Sequence, residues 1–395
     1  MAEKLRVAVG TVYPYDESRV RGGVEAVALY LTRAVAKRDD VELHVVSCNR
    51  AVGRSFVEKR GSITVHWLAT GRRLYGVRAA TIDAWRVREV YDQLAPDVIH
   101  AQHFGEYAIA ARSTSRMVLT IHGLEALVPH MRDTSHFRGA VGRYRRWITE
   151  WLARQGITRA SAVIDTSGGY VTRSVGTWLD GKPIYGVANP VSQDFFSLGE
   201  QHRSVAGAPL ILWCGSISER KNVAGLVQAF AHIVPRLPEA RLTLVGGVAD
   251  STYFDRVLHV IAEAGIEGKV KATGPIPQEQ LLQAYQEAAV VAMPSIEETA
   301  PMALAQAMAA GKAVVASRVG GIPWMVEDGV TGYLVDAGDT EALADRMCDL
   351  LLDQARRERM GLAARKRAMS LFAADAVAAQ TAQVYYEVVG TAASD

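Results

Sequence analysis

Short runs rich in aliphatic and β-branched residues alternate with helix-forming runs along the whole chain. In the first half, LRVAVGTV, ELHVVSC, SITVHWLA, DVIHAQ, MVLTIHG, AVIDTS and PIYGVAN read as strands. In the second, PLILWCGS, ARLTLVGG, KVKATG, VVAMPS, AVVASRV and GYLVDA repeat the arrangement. Helices fit between them, most clearly at Gly23–Lys37 and Ile82–Leu94. This alternation restricts the chain to parallel sheets covered by helices. With 395 residues there is material for two such domains of about 150–200 residues each. Asn189–Pro209 has no periodicity and several turn formers, so it reads as a linker. The expected division is 1–188, a linker at 189–209, 210–371, and a helical tail over 372–395. Phe372, Val377, Val384, Tyr385 and Val388 give that tail an apolar stripe.

Composition narrows the class. A hydrophobic content of 49% with 22% charged residues is that of a water-soluble globular protein. No run of 18 apolar residues suits a membrane span. The first residues, MAEKLRVAVG, carry acid and base and enter a strand directly, unlike a signal peptide. Cys48, Cys214 and Cys348 are scattered without metal or disulfide spacing, and a reducing cytoplasm is the expected home. Residues 1–200 hold 27 Lys and Arg against 20 Asp and Glu, a balance of +7; residues 201–395 hold 17 against 22, a balance of −5. A basic first half suits an anionic acceptor or membrane surface. Scattered solvated charge is the plainer explanation.

The stretch Pro294–Ser317, PSIEETAPMALAQAMAAGKAVVAS, carries the most chemistry. A strand ends at Pro294 and an acidic loop follows. Thr299 is placed to cap a helix, Pro301 fits its first turn, and Gly311 stops it. A helix N-terminus at the carboxyl end of a parallel strand offers N–H groups and a positive dipole to a phosphate. Glu298 stands at its mouth, with Glu297 as neighbour, and Gln306 lies two turns further in.

This stretch resembles the retaining glycosyltransferases of family 4. Their motif runs proline, serine, a few residues, glutamate, a small turn and a second glutamate eight positions on. Pro294, Ser295 and Glu298 match; Gln306 replaces the second glutamate. The resemblance covers nearly the whole chain, including VGGIPWMVEDGVTGYLV at 319–335. It implies the α/β GT-B fold, two doubly wound Rossmann-like domains facing a cleft, with the last helix crossing back to the first domain. It implies a nucleoside diphosphate sugar as donor, UDP-linked by expectation, and a sugar, lipid-linked or small hydroxyl acceptor. No cofactor, metal or nucleic acid is expected.

The same resemblance distributes roles. A second family pattern, glycine, arginine, an apolar residue, three variable residues and lysine, is met by Gly215, Ile217 and Lys221. Ser216 stands where the arginine belongs, and Arg220 is the candidate replacement. Asn222 follows as a helix cap. Lys221, Glu298 and His122 are the implied catalytic residues. Gly22, Gly23, Ser216, Arg220, Thr299, Ala300, Pro301, Met302, Ala303 and Gln306 would hold the donor, with Arg19 and Arg21 beside the glycine turn. Gly246, Gly274, Pro275 and Ile276 would take the base. His103 follows the preceding strand much as His122 follows its own. Ser216 and Gln306 also keep open a catalytically degenerate nucleotide-sugar binder.

One further segment is ambiguous. GRYRRWITEWLARQGITRA at 142–160 is basic and places Trp147 and Trp151 four apart. It suits either a membrane-surface helix, for a protein peripheral to the inner membrane face, or an ordinary helix with tryptophans in its core. The second reading is favoured.

Overall fold

A computed structural model describes residues 4–20, 22–71, 75–124, 139–179, 181–199 and 209–391; Arg21 lies outside them. The chain forms two compact units. The first comprises Met1–Glu17, Val24–Pro190 and Ala374–Asp395, the second Ser18–Gly23 and Val191–Ala373.

The strands of the first unit are β1 (Leu5–Gly10), β2 (Val41–Asn49), β3 (Phe56–Arg60), β4 (Ile63–Ala69), β5 (Val98–Ala101), β6 (Met117–Ile121), β7 (Ala162–Asp165) and β8 (Ile184–Gly186). They form one sheet in the order β3-β4-β2-β1-β5-β6-β7-β8. All pairs are parallel except β3 with β4. β3 escaped the sequence reading because FVEKR is half charged and mostly exposed at the sheet edge. β1, β5, β6 and β7 are buried nearly throughout, as parallel strands covered on both faces must be.

The helix Ala374–Thr391 packs within this first unit. Val377, Val384, Tyr385 and Val388 are buried, and Tyr385 Oη lies 2.7 Å from His100 Nδ1. Phe372, read as part of that stripe, instead ends the preceding helix in the second unit, where its carbonyl accepts from Val191 N–H at 2.8 Å.

The second unit contains β9 (Leu210–Cys214), β10 (Arg241–Val245), β11 (Val270–Gly274), β12 (Val290–Met293), β13 (Ala313–Ser317) and β14 (Tyr333–Val335), in the order β11-β10-β9-β12-β13-β14. Every pairing is parallel. The segment read as a linker, without periodicity in its sequence, holds a helix, Gln193–Leu198. Ser192 Oγ caps it by accepting from Asp194 N–H, and Phe195 and Phe196 anchor it in the second unit. Six residues are too few to show a 3.6-residue period, so the sequence concealed it.

One core feature gives a pH signature. Glu106 is buried, with Oε2 unpartnered among the described residues. Burial pushes its carboxyl up to about 7, and the Asp83 charge adds to this, against opposing hydrogen bonding and Arg50. A carboxyl raised above its unfolded value stabilises the fold at low pH and loses that contribution as pH climbs through 7. Glu106→Gln is therefore expected to remove about 2 kcal/mol of the stability change between pH 5 and pH 8. Denaturant unfolding at the two pH values checks this; equal pH dependence in both proteins would contradict it.

Candidate active site

In the second sheet the chain order reverses between β9 and β12, so the loops leaving these neighbours diverge and open a crevice at their carboxyl ends. The loop after β9 carries Ser216, Arg220 and Lys221; that after β12 carries Ser295 to Pro301. Ile296 N–H donates to the Arg220 carbonyl at 2.8 Å, tying the two loops together.

Glu298 lies at this junction, 4% exposed. Its Oε1 is ion-paired with Lys221 Nζ and accepts from Ser295 Oγ at 2.8 Å. Its Oε2 is 3.5 Å from an Arg220 guanidinium nitrogen, which also donates to the Glu297 carbonyl at 2.9 Å. Burial alone would raise the Glu298 carboxyl; Lys221, Arg220 and Ser295 outweigh it, and the net shift is downward. The group is thus ionised at neutral pH, and its stabilising contribution is lost only in acid, as pH falls through its depressed value. Two cations therefore face this one carboxylate.

The sequence did not reveal that Arg220 reaches Glu298. Ser216, where the family pattern has arginine, is exposed. Arg220 and Lys221 lie in a 3₁₀ turn, Glu219–Lys221. Asn222 precedes the next helix, Val223–Ile233, but in a left-handed conformation (φ 50°) and without a side-chain cap bond.

The helix ahead of this cluster is Met302–Ala309. Its N-cap residue is Pro301, without a side-chain bond, so Thr299 is not the cap. A proline disfavours helical backbone in the residue before it, here Ala300, and so delays the helix start. The leading N–H groups of such a helix have no partner within it. Met302 and Ala303 supply the first of them. Gln306 is buried, its Oε1 accepting from Tyr285 Oη at 3.3 Å.

Two glycines permit close backbone approach. A Cβ on Gly246 (φ 139°) would fall 1.7 Å from the Gly215 carbonyl oxygen. One on Gly320 (φ 55°) would fall 1.7 Å from that of Glu298, to which Gly321 N–H donates at 3.1 Å. Gly246 N–H also donates to the Gly274 carbonyl at 3.0 Å, so the two candidate base-binding turns are joined. Pro275 and Ile276 follow on the rim, exposed and half-buried. Gly22 and Gly23 are exposed with ordinary φ, and Gly23 sits against Met302 in the same unit.

In the first unit the order reverses between β1 and β5. Gln102 N–H donates to the Gly10 carbonyl, and Thr11 Oγ1 donates to Gln102 Oε1 at 3.0 Å. His122 follows β6 and lines a small cavity with Gln102, Thr166 and Asn189 and with the apolar Val27, Leu31 and Ile164. Burial pushes its imidazole down to about 4, the His103 charge contributing and Asn189 opposing, so the ring is neutral at physiological pH. His103 is exposed, its Nδ1 accepting from Gly105 N–H at 3.1 Å.

Comparison with known proteins places this architecture. The family description "Glycosyl transferases group 1" matches residues 195–367, and "Glycosyltransferase Family 4" matches 21–192. The chain is 29% identical to the alpha-maltose-1-phosphate synthase of Mycolicibacterium smegmatis over 97% of its own length and 100% of that protein. It is 26% identical to the N-acetyl-alpha-D-glucosaminyl L-malate synthase of Bacillus anthracis over 78% of each. Among solved structures it is similar to the sucrose-phosphate synthase of Thermosynechococcus elongatus (TM-score 0.81, 21% identity, 98% of this chain and 100% of that one). It is similar also to Anabaena HepE in complex with UDP-glucose (TM-score 0.70, 20% identity, 97% and 100%). With one match on each half and two doubly wound sheets, parallel but for the β3 edge, the chain belongs to the family 4, group 1 glycosyltransferases of GT-B fold.

Proposed function

We propose that this enzyme transfers a sugar from a UDP-sugar to a hydroxyl acceptor with retention of anomeric configuration, without a metal. The observation that carries the reading is the Arg220–Lys221–Glu298 cluster between β9 and β12, ahead of the Met302 helix start. It provides two cations for a diphosphate beside a carboxylate that can accept from sugar hydroxyls. Anabaena HepE has been captured with UDP-glucose, which supports the choice of base. The uridine would lie on Gly246, Gly274, Pro275 and Ile276, and the ribose near Gln306.

In this reading Lys221 and Arg220 hold the diphosphate, with Thr299 to Ala303 supplying backbone and Gly22 and Gly23 giving close approach. Glu298 orients the sugar, and neutral His122 is a candidate hydrogen-bonding group of the first unit. As the sugar–phosphate bond breaks, the acceptor oxygen bonds to the anomeric carbon on the same face. Its proton passes to the departing phosphate oxygen. The protein contributes orientation and stabilisation of the leaving diphosphate. The Bacillus relative is named for L-malate, and with the basic first half this supports an acceptor carrying negative charge as well as a hydroxyl.

Thermal-shift measurement with UDP-, GDP-, ADP-, dTDP- and CMP-sugars is the test, followed by NMR assignment of the product's anomeric centre. A rise in Tm confined to UDP-sugars and retained configuration are expected. Binding without turnover on any hydroxyl acceptor, or an inverted product, would contradict the reading.

Ser216→Arg gives a companion prediction. Because Arg220 already lies at Glu298, a second guanidinium is expected to change donor affinity less than about threefold. Calorimetry checks this; a tenfold gain would show that the site lacks a cation.

A further inference from the structure

The helix Gly139–Arg159 corrects the expectation that its tryptophans are core residues. Ile148, Leu152, Ala153 and Ile157 are buried and form its inner face, Ile148 and Leu152 packing on Ala79, Ala84 and Ile109. Trp147 is 61% exposed and Trp151 38%, and Tyr144, in ring contact with Trp147, is exposed beside them. The neighbouring segment, packed through Ala79 and Ala84 on the same cluster, exposes Ile82 and Trp85, the latter by 59%. Leaving such large aromatic surface in water is costly, and among the described residues no internal packing covers it.

Charge specifies the occupant. The helix sequence holds Arg143, Arg145, Arg146, Arg154 and Arg159 against Glu150, and Glu150 is ion-paired with Arg154 at 2.9 Å. Arg143 and Arg146 are exposed beside the aromatic side chains. Amphipathic indole rings flanked by guanidinium groups match a headgroup layer: the rings insert at the polar–apolar boundary while the cations meet phosphate. A second copy fits poorly, since a two-fold contact would set this arginine-rich face against itself.

We propose that the outer face of this helix docks the protein on an anionic lipid surface, through Tyr144, Trp147 and Trp151 with Arg143 and Arg146. Among the described residues no helix is long and apolar enough to cross a membrane, so the contact is peripheral. The proposal is independent of the glycosyl-transfer reading.

Co-sedimentation of the full chain with vesicles tests it. Binding is expected to phosphatidylglycerol-containing vesicles and not to phosphatidylcholine alone, with a blue shift of tryptophan emission and release by salt. Trp147→Ser with Trp151→Ser, and separately Arg143→Gln with Arg146→Gln, are each expected to lower vesicle affinity about tenfold or more. Both pairs are on the surface, and their Tm should match the wild type. Three results would overturn the proposal: no binding to anionic vesicles, equal affinity in the folded variants, or a dimer that the Trp substitutions dissociate.

Discussion

Replacing Lys221 by alanine is expected to lower kcat/KM about 30- to 1,000-fold, a loss of about 2–4 kcal/mol of transition-state stabilisation. The side chain is the family-matched cation at the strand reversal and is only 15% exposed, so its interactions are poorly screened by solvent. Negative charge grows on the leaving diphosphate as the sugar departs, so a fixed cation contributes more in the transition state than in the ground state. The substitution does not orphan Glu298, because Arg220 and Ser295 remain beside it. The variant should therefore fold, which Tm and circular dichroism verify. Unchanged catalytic efficiency in a folded Lys221→Ala protein would remove the lysine from the phosphate site.

Glu298→Gln is the second large effect, and its signature is a split. Turnover is expected to fall about 100-fold or more, because a charged acceptor for sugar hydroxyls becomes a neutral one. Affinity for free UDP, which lacks the transferable sugar that would reach residue 298, should hold or rise. The wild-type carboxylate neutralises part of the charge on Lys221 and Arg220; without it both cations face the diphosphate. Steady-state kinetics with calorimetry separates the two effects. Abolished UDP binding with turnover lost in proportion would mean that Glu298 holds the nucleotide, and the assignment of donor positions along this helix would be reversed.

The sequence carried the parallel strands because buried strands between helices must be nearly all apolar, as VVAM and MVLTI are. Charged, half-exposed β3 lacks that mark, and its pairing is set by its neighbour rather than its own pattern. Thr299 read as a cap because threonine before an apolar run usually is one, but the conformational demand of Pro301 on Ala300 overrode that preference. Trp147 and Trp151 have a spacing that suits either a core or an exposed stripe; Ile148, Leu152 and Ile157, offset by one position, took the core. Within the site, motif spacing identified Lys221 and Glu298 separately. Their pairing, and the approach of Arg220 to Glu298, depend on β9 lying beside β12, a pairing of strands far apart in sequence.

If the junction of β9 and β12 holds a nucleoside diphosphate, UDP alone should bind there. Calorimetric titration of UDP into the wild-type chain and into Lys221→Ala tests it without requiring an acceptor. One UDP per chain is expected for the wild type, and an affinity at least about tenfold weaker for the variant, the scale of one charge-assisted contact. Absence of UDP binding to the wild type, or equal affinity in both proteins, would contradict it.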